Sequence, residues 1–289
     1  MKLANVVADG IRRVVLVLGE ELVDLTAALG VGPQDVMRLL AMGDEGRSLV
    51  ERCIKAARPR LSVPAVTFEP PVLKADKILG VGMNYHSFVA AAALIGFVAP
   101  TERLWFYRPA SCLTGPYDDI WLPRDAQDLD YEAELAVVIG RRCRHVSPGE
   151  AAAMVAGFTI ANDLTLRERV MRSVVLGKSF DTHTPLGPWL VTPEEIGDPH
   201  DLGVRTWVNG ELRQDSRTSD MISSCYELVA AISAVSTLNP GDIILTGTPD
   251  GCGAFRRPML ALAADDVVKI EIEGIGVIEN RVVDEPEMA

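Results

Sequence analysis

Several things are scarce in this chain, and each scarcity removes a class of function. No apolar run approaches the roughly 20 residues needed to span a bilayer; residues 14–18 fall far short. The opening Met1-Lys2-Leu3-Ala4-Asn5 has no long apolar core and no small-residue cleavage site, so no secretory signal is expected. The five cysteines (Cys53, Cys112, Cys143, Cys225, Cys252) are odd in number and never form C-x-x-C. That pattern suits buried thiols in a reducing cytosol, and argues against a disulfide framework or a zinc knot. Only four histidines occur, with no H-x-x-x-H pair and no H-E-x-x-H, which disfavours a zinc hydrolase. Any metal would depend on oxygen ligands. Positive charge is in deficit: the net charge is −12 and the pI about 4.9. Neither a nucleic-acid backbone nor an anionic membrane surface is an expected partner. Local positive charge could still hold a small anionic substrate. There is no internal repeat and no low-complexity tract.

What remains is an ordinary globular composition, 48% hydrophobic and 24% charged over 289 residues, enough for one large domain or two unequal ones. Residues 13–25 hold two short apolar runs around a polar turn and predict a hairpin. Residues 32–57 carry helical spacing in Val36, Leu39, Leu40, Leu49, Val50, Cys53 and Ile54. Pro59, Pro64, Pro70 and Pro71 then mark a linker. The expected division is a small N-terminal domain with its linker over 1–72, and a main domain over 73–289.

Within the main domain, Asp130-Tyr131-Glu132-Ala133-Glu134-Leu135-Ala136-Val137-Val138-Ile139-Gly140 predicts a strand. The two-residue period puts Glu132 and Glu134 on one face. Two adjacent carboxylates need solvent, a basic side chain or a divalent cation between them. Ser147-Pro148-Gly149-Glu150 has the form of a capping box, with a helix expected through Ala156 to Gly157. A strand over 158–163 follows, and this arrangement could bring Asp163 beside the glutamates.

Two phosphate-loop patterns fail. Gly80-Val81-Gly82 lacks a third glycine, and Gly177-Lys178-Ser179 has Arg172 where the first glycine is required. Lys178 is therefore read as a lone lysine in a turn-rich segment that continues through Pro185, Gly187 and Pro188, and as a candidate for charge balance. Asn209-Gly210 between alternating runs predicts a type I′ hairpin. Residues 219–238 predict a helix with a stripe of Met221, Cys225, Leu228, Val229 and Ile232. An apolar strand over 243–246 leads into a tight glycine loop over 247–253, whose N–H groups could face a carboxylate. Residues 267–283 read as two further strands.

From Ile78 to Val283 these segments, in register, resemble the fumarylacetoacetate hydrolase (FAH) family. The resemblance rests on Gly82, Asn84 and Tyr85; on Tyr131-Glu132-Ala133-Glu134-Leu135; on Asn162-Asp163; and on Gly177-Lys178-Ser179-Phe180-Asp181. It continues through Pro185-Leu186-Gly187-Pro188-Trp189, Asn209-Gly210-Glu211 with Gln214, Pro240-Gly241-Asp242 and Thr246-Gly247-Thr248-Pro249. It implies an α+β, β-rich fold, a mixed β-roll or β-sandwich with a small N-terminal domain and few helices. It implies a metal site of Glu132, Glu134 and Asp163 for Mg²⁺ (or Mn²⁺ or Ca²⁺), and three carboxylates without His or Cys do suit a hard cation. Lys178 matches the family's active-site lysine. Tyr85, Arg108, Gln214, Gly247 and Thr248 are implied around the substrate, with Thr248 meeting its carboxylate. The implied chemistry is cleavage of a C–C bond in a 2-oxo or β-diketo acid such as an acylpyruvate, in catabolism of a ring-cleavage product. Decarboxylation or tautomerisation of an acid such as oxaloacetate is the alternative. A homodimer is usual in the family.

The chain departs from the family at two places. Arg108 stands where the family commonly has Lys. Many members carry a His–Glu pair that activates water, three residues apart on a helix after the G-x-N-Y motif. Here those positions are Phe88 and Ala91. His86, about 200° round a helix from position 88 and so no simple substitute, or His183 is the candidate replacement base. Otherwise the reaction needs no activated water, or the protein binds without catalysis. The apolar run over 88–92 suggests a drier, more hydrophobic substrate than usual.

Overall fold

In the computed structural model the described residues are 1–30, 32, 34–56 and 60–287. The architecture is organised by the strand Ala133–Ile139, every residue of which is buried. It pairs antiparallel with Val155–Asn162 on one side and with Ile243–Leu245 on the other. Its apolar residues divide by parity. Leu135, Val137 and Ile139 face a core shared with a five-stranded sheet through Val204, Ile270 and Ile278. Ala136 and Val138 face a second core with Leu3, Val36, Leu49 and Cys53. A strand covered on both faces reads as a continuous apolar run, as this one does.

Around it lies a twelve-stranded mixed sheet. From one end its main path runs through Arg60–Ser62, Glu21–Asp24, Ile11–Leu18, Lys2–Ala8, Thr184–Val191 and Val155–Asn162 to the central strand. Beyond it come Ile243–Leu245, Ile78–Gly82 and Leu104–Arg108. The second sheet orders Glu211–Arg217, Gly203–Val208, Val267–Ile272, Gly276–Asp284 and Ile120–Leu122. The two sheets share one core, which is the β-sandwich expected. Among the described residues no helix is long and apolar enough to cross a membrane.

The N-terminal hairpin forms as Ile11–Leu18 with Glu21–Asp24. The helical pattern splits at Gly43 (φ 56°) into Val36–Ala41 and Asp44–Lys55. Pro59 and Ala57 lie outside the described residues. The remaining linker is more ordered than its prolines suggest, because Arg60–Ser62 and Thr67–Glu69 each pair with an N-terminal strand. Lys2–Ala8 in turn pairs with Thr184–Val191, Leu3 opposite Leu190, so residues 1–72 extend the main sheet directly.

Three local expectations are corrected. The helix after the capping box stops at Ala151, a 3₁₀ turn covers Ala152–Met154, and Val155–Asn162 is already strand. Pairing with the central strand outweighs the helix propensity of alanine there. Residues 184–191 form a strand and not a turn. Pro188 is tolerated because it falls where the ladder with Val155–Asn162 shifts register, between the Phe158–Val191 and Ile160–Gly187 pairs. Gly187 is needed at that point: its φ is 149°, and a Cβ would lie 2.8 Å from Pro116. Lys178, third, is the last residue of a short helix, Val174–Lys178, and is buried.

The Asn209-Gly210 turn forms as expected, with φ of 52° and 80°. The later helix is confined to Cys225–Val235, opened by a capping box between Ser224 and Glu227. Cys225, Leu228, Val229 and Ile232 are its buried stripe, while Met221 lies outside it in a β-bridge with Tyr85.

Candidate active site

Glu134 continues the even-numbered row of the central strand, and Glu132 stands one residue before that strand begins. Asp163 follows directly on Val155–Asn162. The pairing of these two strands puts Ala133 opposite Asn162, and two bonds lock the junction. Asp163 N donates to Glu132 O at 2.9 Å, and Glu132 N donates to Asn162 Oδ1 at 3.1 Å. The result is that one carboxylate oxygen from each of Glu132, Glu134 and Asp163 lies within 4.8 Å of the others, all three residues buried.

Positive groups converge on this cluster from three directions. Lys178 Nζ donates to Glu132 Oε2 and to Thr165 Oγ1, at 2.7 and 2.8 Å, and also to Asp163. Arg167 Nη2 lies 2.7 Å from both Glu132 and Asp130. Arg108 pairs with the other oxygen of Asp163 and donates to His183 O at 2.7 Å. Burial pushes the Glu132 carboxyl up, but Lys178 and Arg167 outweigh it and hold the group below the usual carboxylate range. Among the described residues Glu134 has the Gly247 N–H, at 2.7 Å, as its direct donor. Burial, reinforced by the Glu132 charge and opposed by Lys178, pushes its carboxyl up to about 8. Burial lowers the Lys178 ammonium from its ordinary value, with the glutamates opposing.

A cavity of about 460 Å³ opens over this floor. Glu132, Glu134, Lys178, Gly247 and Thr248 line it, Arg167 lines it too, and Asp163 lies behind them outside the lining. Nothing local in the sequence marked Arg167; it opens the short helix Arg167–Val170, and the pairing of Leu129–Asp130 with Thr165–Leu166 brings it over Asp130.

The other expected contacts are corrected. Arg108 is fully buried and spent on Asp163, Leu164 and His183, so it supports the cluster from behind. Tyr85 is fully buried and does not line the cavity. Gln214 accepts from Ala133 N and donates to Thr248 Oγ1 at 2.9 Å and to Pro249 O. It therefore acts through Thr248 and not on the cavity. His86 is exposed and does not line the cavity, because it opens the helix His86–Leu94 on the solvent side. His183 is buried, bonded to Trp121 O, and held neutral by burial with a pKa of about 3. The glycine-loop N–H groups face carboxylates of the protein itself: Gly247 meets Glu134, and Gly253 and Ala254 meet Asp130 at 2.8 and 2.9 Å.

The donor set fits a divalent cation. Three buried carboxylates offer oxygen only, and the Lys178 ammonium already lies among them as a positive charge.

The family model described as fumarylacetoacetate (FAA) hydrolase C-terminal matches residues 77–283. The chain belongs to the fumarylacetoacetate hydrolase family. An oxaloacetate tautomerase of Bos taurus, named as mitochondrial, is 43% identical over 269 residues, 92% of this chain and 85% of that protein. A maleylpyruvate hydrolase from Sphingobium sp. SYK-6, solved with manganese(II) and pyruvate, superposes with a TM-score of 0.85 at 32% identity. It covers 99% of this chain and 100% of its own. A 5-carboxymethyl-2-hydroxymuconate delta-isomerase from Mycobacterium smegmatis gives a TM-score of 0.77 at 34% identity, over 99% of this chain and 100% of its own. Tautomerase, hydrolase and isomerase thus stand among the relatives of one FAH fold, and a divalent metal accompanies one of them.

Proposed function

We propose that this protein is a divalent-metal-dependent enzyme that interconverts the enol and keto forms of a 2-oxo acid. One observation carries the reading. Among the described residues lining the cavity, the titratable side chains are Glu132, Glu134, Arg167 and Lys178. Where the family's water-activating pair would stand there are Phe88, which lines the cavity, and Ala91, which is buried and does not. Tautomerisation moves one proton from an enol oxygen to the neighbouring carbon and consumes no water, so it does without that pair.

Glu132, Glu134 and Asp163 would hold the cation, Mg²⁺ in our reading with Mn²⁺ or Ca²⁺ as substitutes. When bound, it supplies electrostatic stabilisation of enolate charge. Lys178 holds the mobile proton at Nζ, beside the carboxylates and at the floor of the cavity. Thr248, fixed by Gln214, offers a hydroxyl to the substrate carboxylate. Phe106 packs under the Lys178 ammonium, 4.8 Å from ring centroid to Nζ, and keeps that side dry. The resemblance of sequence to the oxaloacetate tautomerase supports this assignment.

C–C hydrolysis of an acylpyruvate, the first expectation from sequence, keeps one specific support, the likeness to the maleylpyruvate hydrolase. The test is to incubate the Mg²⁺-loaded protein with enol-form oxaloacetate, enol-form phenylpyruvate and acetylpyruvate. Faster enol–keto equilibration without acetate or CO₂ is the expected result. Acetate would favour the hydrolase, CO₂ a decarboxylase, and tight oxalate binding without turnover a binding module. We place the protein in a reducing compartment, since all five cysteines are free and buried. The cytosol is our assignment, although the bovine relative is named mitochondrial. A homodimer, usual in the family, is our proposal for its assembly.

A further inference from the structure

The cavity is larger and more apolar than a four-carbon dicarboxylate requires. At about 460 Å³ it falls in the range of sites that enclose drug-sized ligands. Its polar groups are gathered on the floor, and the walls above are Phe88, Ile95, Phe97, Val170, Met171 and Phe255. Ile95, Phe97 and Met171 are 41%, 40% and 73% exposed, so the wall carries apolar surface that no part of the described chain covers.

The wall is built and not incidental. Phe88 packs edge-on against Phe255 with centroids 4.8 Å apart and planes at 77°. Phe255 is set by the anchoring of Gly253 N and Ala254 N on Asp130. Phe88 is set at the start of its helix, where Ser87 N donates to Asp220 at 2.9 Å.

A second carboxylate on the substrate would be poorly served here. Among the described residues that line the cavity the cations are Arg167 and Lys178, and both are already paired with carboxylates. The loop N–H groups of Gly247, Gly253 and Ala254 are also taken. A carboxylate moved from water to an apolar wall without a partner is strongly disfavoured, whereas an aryl group gains from the same move.

We propose that the substrate is a monocarboxylic 2-oxo acid carrying an aryl or bulky alkyl group, with Phe88 and Phe255 as the residues that select it. This rests on the 2-oxo acid reading of the floor, and adds that the distal end of the substrate is apolar.

Calorimetric titration of the Mn²⁺-loaded protein with three unreactive oxo-acid mimics tests it: oxamate, N-phenyloxamate and N-oxalylglycine, the last carrying a distal carboxylate. N-phenyloxamate is expected to bind at least about tenfold tighter than N-oxalylglycine. Phe88→Ala is expected to reduce that ratio to below about threefold, and Phe88→Leu, which keeps an apolar wall, to retain most of it. Equal affinities, or tighter N-oxalylglycine, with oxamate bound would overturn this inference alone. Failure to bind any of the three would overturn the 2-oxo acid reading along with it. Binding in the expected order without enol–keto turnover would retain the substrate class and reject the tautomerase.

Discussion

Lys178 Nζ donates to Glu132 Oε2 at 2.7 Å, and the two side chains are among the most buried charged groups in the protein. The same ammonium also reaches Asp163. It balances two of three clustered carboxylates whenever no divalent cation does. Removing one partner from a buried pair leaves an uncompensated charge, at a cost of about 3–5 kcal/mol. Lys178→Met is therefore expected to destabilise the metal-free protein by about 3 kcal/mol, with Mn²⁺ restoring much of the loss. Urea unfolding with and without Mn²⁺ reads this directly. A variant equally destabilised in both conditions would show that Lys178 and the cation do not share a role.

Glu132→Gln removes one charged oxygen donor from the cluster while keeping its shape. Mn²⁺ affinity should fall by more than the roughly 10–100-fold seen when an outer-shell partner is lost. Turnover at saturating substrate should fall with it. Calorimetric titration with Mn²⁺ measures the affinity, and an unchanged value would remove Glu132 from the ligand set.

His183 predicts a pH dependence of stability. Burial lowers its folded pKa to about 3 from an ordinary 6.5, and Nδ1 has no hydrogen-bond partner among the described residues. In this window the unfolded chain binds the proton more readily, so stability is lost as pH falls below 6.5 and continues to fall towards 3. At about pH 5 the loss from this one group is about 2 kcal/mol. Urea unfolding at about pH 7 and about pH 5 should show a drop smaller by this amount in His183→Gln. Parallel pH profiles would mean that His183 is solvated or paired.

The N-terminal 72 residues present a separate question. Lys2–Ala8 covers the edge of Thr184–Val191, and Leu3, Val36, Leu49 and Val50 fill a core shared with Ala136 and Val138. A chain of residues 73–289 alone is expected to expose that edge and core and to aggregate or lose cooperative unfolding. Adding residues 1–72 as a separate chain should restore it if the segment folds as a unit. A soluble, cooperatively unfolding 73–289 chain would mean that the N-terminal strands are dispensable.

Much of the site could be read from residue type and spacing. The two-residue period of a strand pointed to Glu132 and Glu134 on one face, although Glu132 stands just before the strand Ala133–Ile139 and is fixed by its bonds to Asn162 and Asp163, and the donor chemistry pointed to a hard cation. The Asn209-Gly210 turn and the capping box at Ser147 lay within a few residues of sequence, where local backbone preferences act directly. The failures were of another kind. Pro185, Gly187 and Pro188 read as turn because the compensating register shift belongs to the neighbouring strand. Ala152–Ala156 read as helix because the pull of the central strand is invisible in alanine propensity.

The sequence by itself determined which groups the protein owns: three carboxylates, a lysine, and no His–Glu pair at positions 88 and 91. Only the tertiary structure decided which of them face the cavity. Arg108 was turned to the back of Asp163, Gln214 to the back of Thr248, His86 to solvent and His183 into the core, while Arg167 was brought forward over Glu132. The reason is physical. A side chain's polarity is written in its residue type, but its direction is set by long-range strand pairing, and by the requirement that every buried charge find a partner.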